Sequence, residues 1–146
     1  MDYQKLGDAY YIRIDKGDEM VSSILEVCRR EGIASATYSG IGGCQDAEIQ
    51  TFNPAAGEFD TERVEGMLEL VSFMGNVITD ASGTLYPHTH ALFSYVEDGQ
   101  HKVVGGHIKS TTVLYTAEIE LRPVFGGAIG HMHDDETGTA FWQFGN

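Results

Sequence analysis

The chain has 146 residues, with 22 acidic side chains against 9 basic ones, a formal net charge of -13 and a pI near 4.6. This length is enough for one domain to bury its own core, and 42% hydrophobic residues is typical of a folded protein. The acid excess argues against binding to DNA or to an anionic membrane surface, because both kinds of binding depend on Lys and Arg.

The sequence contains no targeting or membrane signal. No apolar run approaches the roughly 20 residues of a membrane-spanning helix, and the first residues do not resemble a signal peptide. The two cysteines, Cys28 and Cys44, fit a reducing compartment better than a disulfide framework, and both are expected to be structural residues. We therefore expect a cytoplasmic protein.

One helix is predicted, over residues 18–31. Its apolar side chains recur at three- and four-residue spacing, which is the pattern of a helix with one buried face. These side chains are Met20, Val21, Ile24, Leu25 and Cys28. Asp18 is predicted to cap the start of the helix and Gly32 to end it.

Strands are predicted where β-branched and aromatic residues concentrate. The predicted strands span residues 9–14, 33–39, 48–52, 67–74, 85–96, 102–109, 111–121 and 139–144. Turns are expected at Gly42-Gly43, Asp98-Gly99, Gly126-Gly127 and Thr137-Gly138. Residues 1–146 are thus predicted to form a single compact α+β domain, with a mostly antiparallel sheet flanked by few helices.

Residues 67–74 are apolar at nearly every position, which suits a strand that is buried on both faces. A single helix cannot cover both faces of so large a sheet. The uncovered face must therefore be polar or must be buried against another subunit, so we expect an oligomer.

Three histidines form a candidate metal site. His88 and His90 lie two residues apart on a predicted strand, so both imidazoles point to the same face. The Asp98-Gly99 turn folds the next strand back, and His107 lies as far after that turn as His90 lies before it. Three imidazoles with an open fourth position are typical of reactive zinc sites, although Fe, Ni or Cu would also suit them. The alternative is three structural histidines that hydrogen-bond to strand neighbours.

The other histidines give weaker signals. His131 and His133 precede a run of acidic residues and could form a second metal site, but a solvated polar loop is the favoured interpretation. His101 follows the hairpin turn and is expected to be exposed. The spacing of Glu97 from His90 does not fit the metal motif of cupins.

Several segments resemble, in chain order, the motifs of the plants-and-prokaryotes-conserved (PPC) domain. They are Gly40-Ile41-Gly42, residues 65–75 with Glu69 at their acidic position, Pro87-His88-Thr89-His90-Ala91, Asp98-Gly99, Gly105-Gly106-His107-Ile108, Thr116-Ala117-Glu118-Ile119 and the closing residues 134–138. The resemblance covers most of the chain. Met67 stands where the plant members have an arginine, and no Arg-Gly-Arg core of an AT-hook occurs.

The resemblance implies a stand-alone prokaryotic PPC domain that assembles as a homotrimer. It also implies that His88, His90 and His107 hold a metal in some members, and that Glu69 occupies an acidic position of the family. Glu69 is accordingly a candidate catalytic residue: a fourth ligand, a partner of a ligand or a proton acceptor, with a paired structural carboxylate as the alternative.

Four hypotheses follow from the sequence. The first is a homotrimer that binds a divalent metal, with zinc expected first, and that has a possible small-molecule ligand at the metal. The second is a metal-dependent hydrolase or lyase, and the third is an assembly module with structural histidines. The fourth is a DNA-binding protein, which is the family's usual label and which the net charge of -13 disfavours.

Overall fold

Eight strands and one helix make up the described part of the chain, residues 1–136 and 139–144 of a computed structural model. The predicted Thr137-Gly138 turn lies outside the described residues. The helix is α1 (Met20–Glu31). The strands are β1 (Asp2–Leu6), β2 (Ala9–Asp15), β3 (Ala36–Asn53), β4 (Glu58–Thr79), β5 (Leu85–Glu97), β6 (Gln100–Pro123), β7 (Ile129–Asp134) and β8 (Thr139–Phe144).

All eight strands belong to one sheet, in the order β1-β2-β6-β3-β4-β7-β8, with β5 paired to both β4 and β6. Every described pair is antiparallel except β4 with β7. The mostly antiparallel sheet is confirmed. The α+β class overstated the helical part, because the domain is mostly β, with one short helix on the sheet.

Helix α1 begins two residues later than the sequence pattern indicated. Its N-cap is Glu19, whose carboxylate accepts hydrogen bonds from the backbone N–H groups of Val21 and Ser22. The prediction that Asp18 caps the helix was wrong, because the Asp18 carboxylate instead accepts a hydrogen bond from the N-terminal amine of Met1. Gly32 ends the helix as predicted, with the left-handed φ of 64° that glycine adopts without strain.

Gly42 and Gly43 do not form the predicted turn, since β3 runs through them. A Cβ atom on Gly42 would lie 2.7 Å from the Cβ of Ala117 on β6, so glycine is required here for close approach of two strands. The register also shifts between Gly40 and Gly42, which marks a β-bulge. The sequence pattern therefore identified a special backbone position but assigned it the wrong conformation.

Other strand boundaries also differ from the predictions, since residues 33–39 and 48–52 were predicted as two strands and both belong to β3. Residues 102–109 and 111–121 form one continuous strand, β6, and β1 had no predicted counterpart. His131 and His133 lie on β7, so the favoured loop interpretation was wrong. β7 pairs with β8, and this pairing supplies hydrogen-bond partners that local sequence cannot reveal.

The helix covers one face of the sheet, which we call the inner face. The helix side chains Met20, Ile24, Val27 and Cys28 are buried with the inner-face residues of the strands. Cys44 is also fully buried, and its thiol contacts Met20. Both cysteines are therefore core residues, as expected.

The opposite, outer face of β3, β4, β5 and β6 carries exposed apolar side chains, all at least 40% exposed. They are Ile41, Met67, Val71, Met74, Leu92 and Tyr115. In residues 67–74, Leu68, Leu70 and Phe73 are buried and their neighbours are not, so one chain alone does not bury both faces of this segment. Within the described residues, no helix is both long and apolar enough to cross a membrane.

Candidate metal centre

The β5–β6 hairpin forms as the Asp98-Gly99 signal predicted. Asp98 and Gly99 both have positive φ values, 53° and 73°, which a two-residue hairpin turn requires. Glu97 pairs with Gln100 across the turn, and the same register places His107 directly opposite His90. The spacing argument therefore located these two imidazoles correctly.

His88, His90 and His107 come together on the outer face. One ring nitrogen from each lies within 4.8 Å of the other two, and no other such group of three metal-binding side chains occurs in residues 1–136 and 139–144. The Nε2 atoms of His88 and His90 are 3.2 Å apart. Two nitrogens bound to one tetrahedral zinc at its usual bond length lie about 3.3 Å apart, so the three residues fit a metal.

Contacts on the inner face of the sheet hold β5, the strand that carries His88 and His90, in place. Thr89, between them, is buried, and its Oγ1 lies 2.5 Å from the Tyr38 hydroxyl in a hydrogen bond. Burial raises the pKa of Tyr38 to about 12, so the hydroxyl keeps its proton over the physiological range. Gly75 pairs with Thr89, and a Cβ there would lie 2.3 Å from the backbone oxygen of His88.

Two of the imidazoles have lowered pKa values. Partial burial, followed by the neighbouring His90, lowers the pKa of His88, and burial together with both other imidazoles lowers that of His107. The neutral imidazole is the form that binds a metal. The local environment therefore favours the protonation state that a metal site needs.

Two aromatic side chains that the sequence analysis did not select contact one of the three histidines or a cross-strand partner of one. The ring centroid of Phe59, on β4, is 5.8 Å from that of His107. Asn76, the cross-strand partner of His88, accepts a 3.3 Å hydrogen bond from Trp142 on β8. No local sequence signal links these residues to the histidines, because the contacts arise from pairing between distant strands.

Glu69 lies on the same outer face but apart from the three histidines. It pairs with Ser94 on β5, four residues beyond His90, which corresponds to about 13 Å along the strand. It lines a groove of about 510 Å³ together with Met67, Val71 and other outer-face residues. Within one chain, Glu69 is therefore not a member of the three-histidine group.

His131 and His133 do not join the three-histidine group. The His131 ring stacks on Tyr86 with centroids 4.2 Å apart, and His133 Nε2 lies 3.5 Å from an oxygen of Asp135. His101 is exposed, as expected.

Comparison with known families and structures identifies the domain. The model of the Plants and Prokaryotes Conserved (PCC) domain, the family written PPC above, matches residues 1–124. The chain belongs to the PCC domain family. Among curated proteins, no significant match is found.

Several solved structures share this fold over nearly the whole chain. A plant- and prokaryote-conserved protein from Pyrococcus horikoshii is 30% identical, with 99% of this chain and 96% of that chain covered and a TM-score of 0.82. A metal-containing protein from Archaeoglobus fulgidus is 29% identical, with 99% of both chains covered and the same TM-score. A protein from Bacteroides thetaiotaomicron, provisionally named as DNA-binding, has a TM-score of 0.88 at 22% identity, covering 98% of this chain and 96% of that chain.

In this PCC domain, Asp80 stabilises the turn between β4 and β5, just before the histidine strand. Its carboxylate accepts hydrogen bonds from the backbone N–H groups of Ser82 and Thr84 and from the hydroxyls of Ser82 and Tyr86. These hydrogen bonds lower the pKa of Asp80 from 3.8 to about 2, and the hydrogen bond from the Ser82 side chain makes the largest contribution. Asp80 thus holds Tyr86, whose ring in turn stacks on His131.

The Asp80 contacts predict a pH-dependent contribution to stability. Because the folded-state pKa is lower than the unfolded one, the contribution is complete above pH 4 and is lost as the pH falls towards 2. An Asp80→Asn variant should therefore be less stable than the wild type in urea unfolding at pH 5, and about half of that difference should be gone at pH 3. An equal difference at both pH values would contradict the assignment.

Proposed function

We propose that this PCC-domain protein binds one divalent transition metal through His88, His90 and His107, and that this metal is zinc. The observation that carries the proposal is the approach of three imidazole nitrogens to within 4.8 Å of one another on one sheet face. The metal-containing relative from Archaeoglobus fulgidus supports it, since that chain is matched along its length at 29% identity.

The metal content of the purified protein tests this proposal directly. The protein should be isolated without chelator and without a nickel column, then analysed by inductively coupled plasma mass spectrometry. We expect about one zinc, or another divalent transition metal, per chain. Protein that is isolated metal-free and does not take up zinc or cobalt on titration would overturn the proposal.

A metal with an open position would also allow catalysis, so a hydrolase or lyase acting on a small molecule is the second candidate. A bound divalent metal lowers the pKa of water towards 7 and polarises carbonyl oxygens. Two of the three histidines are exposed, which favours access of a small molecule. Since Glu69 is distant within the chain, a proton acceptor would have to come from another residue or from a second subunit.

We further propose that the protein is a homotrimer that buries the part of the outer face around Val71 and the groove beside it, a groove that none of the three histidines lines. Val71 and Met67, in the apolar segment 67–74, are 51% and 40% exposed in the single chain. Contiguous apolar surface of this kind normally marks an interface. The same groove contains Glu69 and Glu118, so their carboxylates would lie at or near the contact.

A charge placed on the outer face should dissociate the assembly. For the wild type, light scattering after size exclusion should give three times the chain mass of 16.0 kDa. Val71→Asp should shift the protein to the single-chain mass, because a buried unpaired carboxylate opposes association. Leu6→Asp, at an equally exposed position in the β1–β2 hairpin, is the matched control and should remain trimeric. A monomeric wild type would contradict the proposal.

We do not propose direct DNA binding. The chain carries a net charge of -13, and the side chains of Arg13, Arg63, Lys102, Lys109 and Arg122 are in ion pairs with acidic neighbours. A gel-shift experiment with duplex DNA should show no complex even at low salt, where phosphate contacts are strongest. A complex that weakens steeply as salt is added would contradict this expectation.

A further inference from the structure

We propose that the three-histidine site accepts a small aromatic carboxylate, whose carboxylate binds the metal while its ring packs between two aromatic walls. This inference rests on the proposed metal centre and adds the chemical class of its ligand. It is carried by the side chains around the histidines and by their charges.

The first wall comes from the long β3–β4 hairpin. Phe59 lies beside His107 with the two ring planes inclined by only 32°, so one face of the Phe59 ring is turned to the histidine side. Phe52 packs edge-on against Phe59 at 5.4 Å and supports it. Both phenylalanines are about half exposed, which leaves surface for a ligand to cover.

The second wall comes from the β7–β8 hairpin. This hairpin lies after residue 124, where the match to the PCC family model ends. It contacts β5 where His131 stacks on Tyr86, and it contacts β4 where Trp142 hydrogen-bonds to Asn76, the cross-strand partner of His88. Tyr86 and His88 are two residues apart on β5 and so share the outer face.

The charged groups around the site favour a ligand that carries a small negative charge. No carboxylate belongs to the three-histidine group, so a bound divalent metal would keep its full charge and attract an anionic oxygen. The basic side chains on the neighbouring segments are engaged in ion pairs, Lys109 with Glu48 and Arg63 with Glu65. A phosphorylated ligand would lack the Arg or Lys contacts that such groups normally receive.

Cobalt provides the first test because its visible spectrum reports directly on groups that bind the metal. The metal-free protein is loaded with Co²⁺ and titrated with benzoate, cyclohexanecarboxylate or inorganic phosphate. We expect benzoate to change the cobalt spectrum and to bind about 2- to 12-fold more tightly than cyclohexanecarboxylate, the range that one aromatic contact supplies. Phosphate should bind more weakly than benzoate.

Trp142 provides a second readout, since it is the single tryptophan of the chain. Benzoate should change its fluorescence in the zinc-loaded protein. Phe59→Leu should reduce the preference for benzoate over cyclohexanecarboxylate and leave the cobalt affinity unchanged. Phe125→Leu replaces another exposed phenylalanine, in the β6–β7 loop, and should not alter the preference.

The outcomes separate this inference from the metal proposal. Failure of cobalt to bind would overturn both. A normal cobalt spectrum with no response to benzoate, equal binding of the two carboxylates, or tighter binding of phosphate would overturn only the aromatic carboxylate. The Phe59→Leu variant is expected to fold, because the side chain that it shortens is on the surface.

Discussion

Replacing His107 with alanine is expected to lower the affinity for zinc by at least about 100-fold, because the change removes one of three ligands. Loss of a group that only orients a ligand already lowers metal affinity by about 10- to 100-fold, so loss of the ligand itself should cost more. His88 and His90 would remain as a pair on β5, which is too few for a tight site. Competition with a chromogenic chelator measures the affinity, and metal analysis of the purified variant gives its occupancy.

His101→Ala is the matched control for His107→Ala. His101 lies on the same strand, is exposed and does not belong to the three-histidine group. Its replacement should leave zinc affinity and stability unchanged. If His107→Ala retained wild-type affinity, the metal would have to bind elsewhere in the chain.

Replacing Gly75 with alanine is expected to destabilise the fold by about 1–3 kcal/mol, the usual cost of inserting an atom into a packed region. The added Cβ would lie 2.3 Å from the backbone oxygen of His88 and 2.5 Å from the Tyr38 hydroxyl. Either β5 or Tyr38 must therefore move. Because this movement alters the hydrogen bond between Tyr38 and Thr89, zinc affinity should also fall, by about 10- to 100-fold.

Urea unfolding of the metal-free protein and zinc titration separate the two effects of Gly75→Ala. Gly127→Ala is the control, because a Cβ at that position meets no atom within 4 Å. The control should match the wild type in both measurements. A Gly75→Ala protein with normal stability and normal zinc affinity would show that the close approach at Gly75 does not constrain the histidine strand.

The grouping of the three histidines was predicted well from the sequence, because its geometry is local. Alternation places His88 and His90 on one face, and the two-residue turn at Asp98-Gly99 fixes which residue lies opposite His90. Helix α1 was predicted for a similar reason, since its periodicity and Gly32 are local signals. Its N-cap was misassigned because Asp18 and Glu19 are both acidic, and only the folded chain brings the Met1 amine to Asp18.

Glycine patterns were less informative, because a glycine can mark either a turn or a close contact between strands. At Asp98-Gly99 the positive φ angles form a turn. At Gly42 the chain remains a strand, and the absence of a side chain allows β6 to pack closely against β3. Only the partner strand decides between these two outcomes. The same limitation applied to Gly75, whose importance depends on Tyr38 and His88.

By itself, the sequence determined the net charge of -13, the β5–β6 hairpin and the side of that hairpin on which three imidazoles meet. The tertiary structure alone decided that Phe59 lies beside His107, that Trp142 hydrogen-bonds to the cross-strand partner of His88, and that Glu69 lies outside the group of histidines. The physical reason is the range of the interactions. Backbone angles and two-residue periodicity act between near neighbours, while sheet order and strand register depend on hydrogen bonds between segments far apart in the chain.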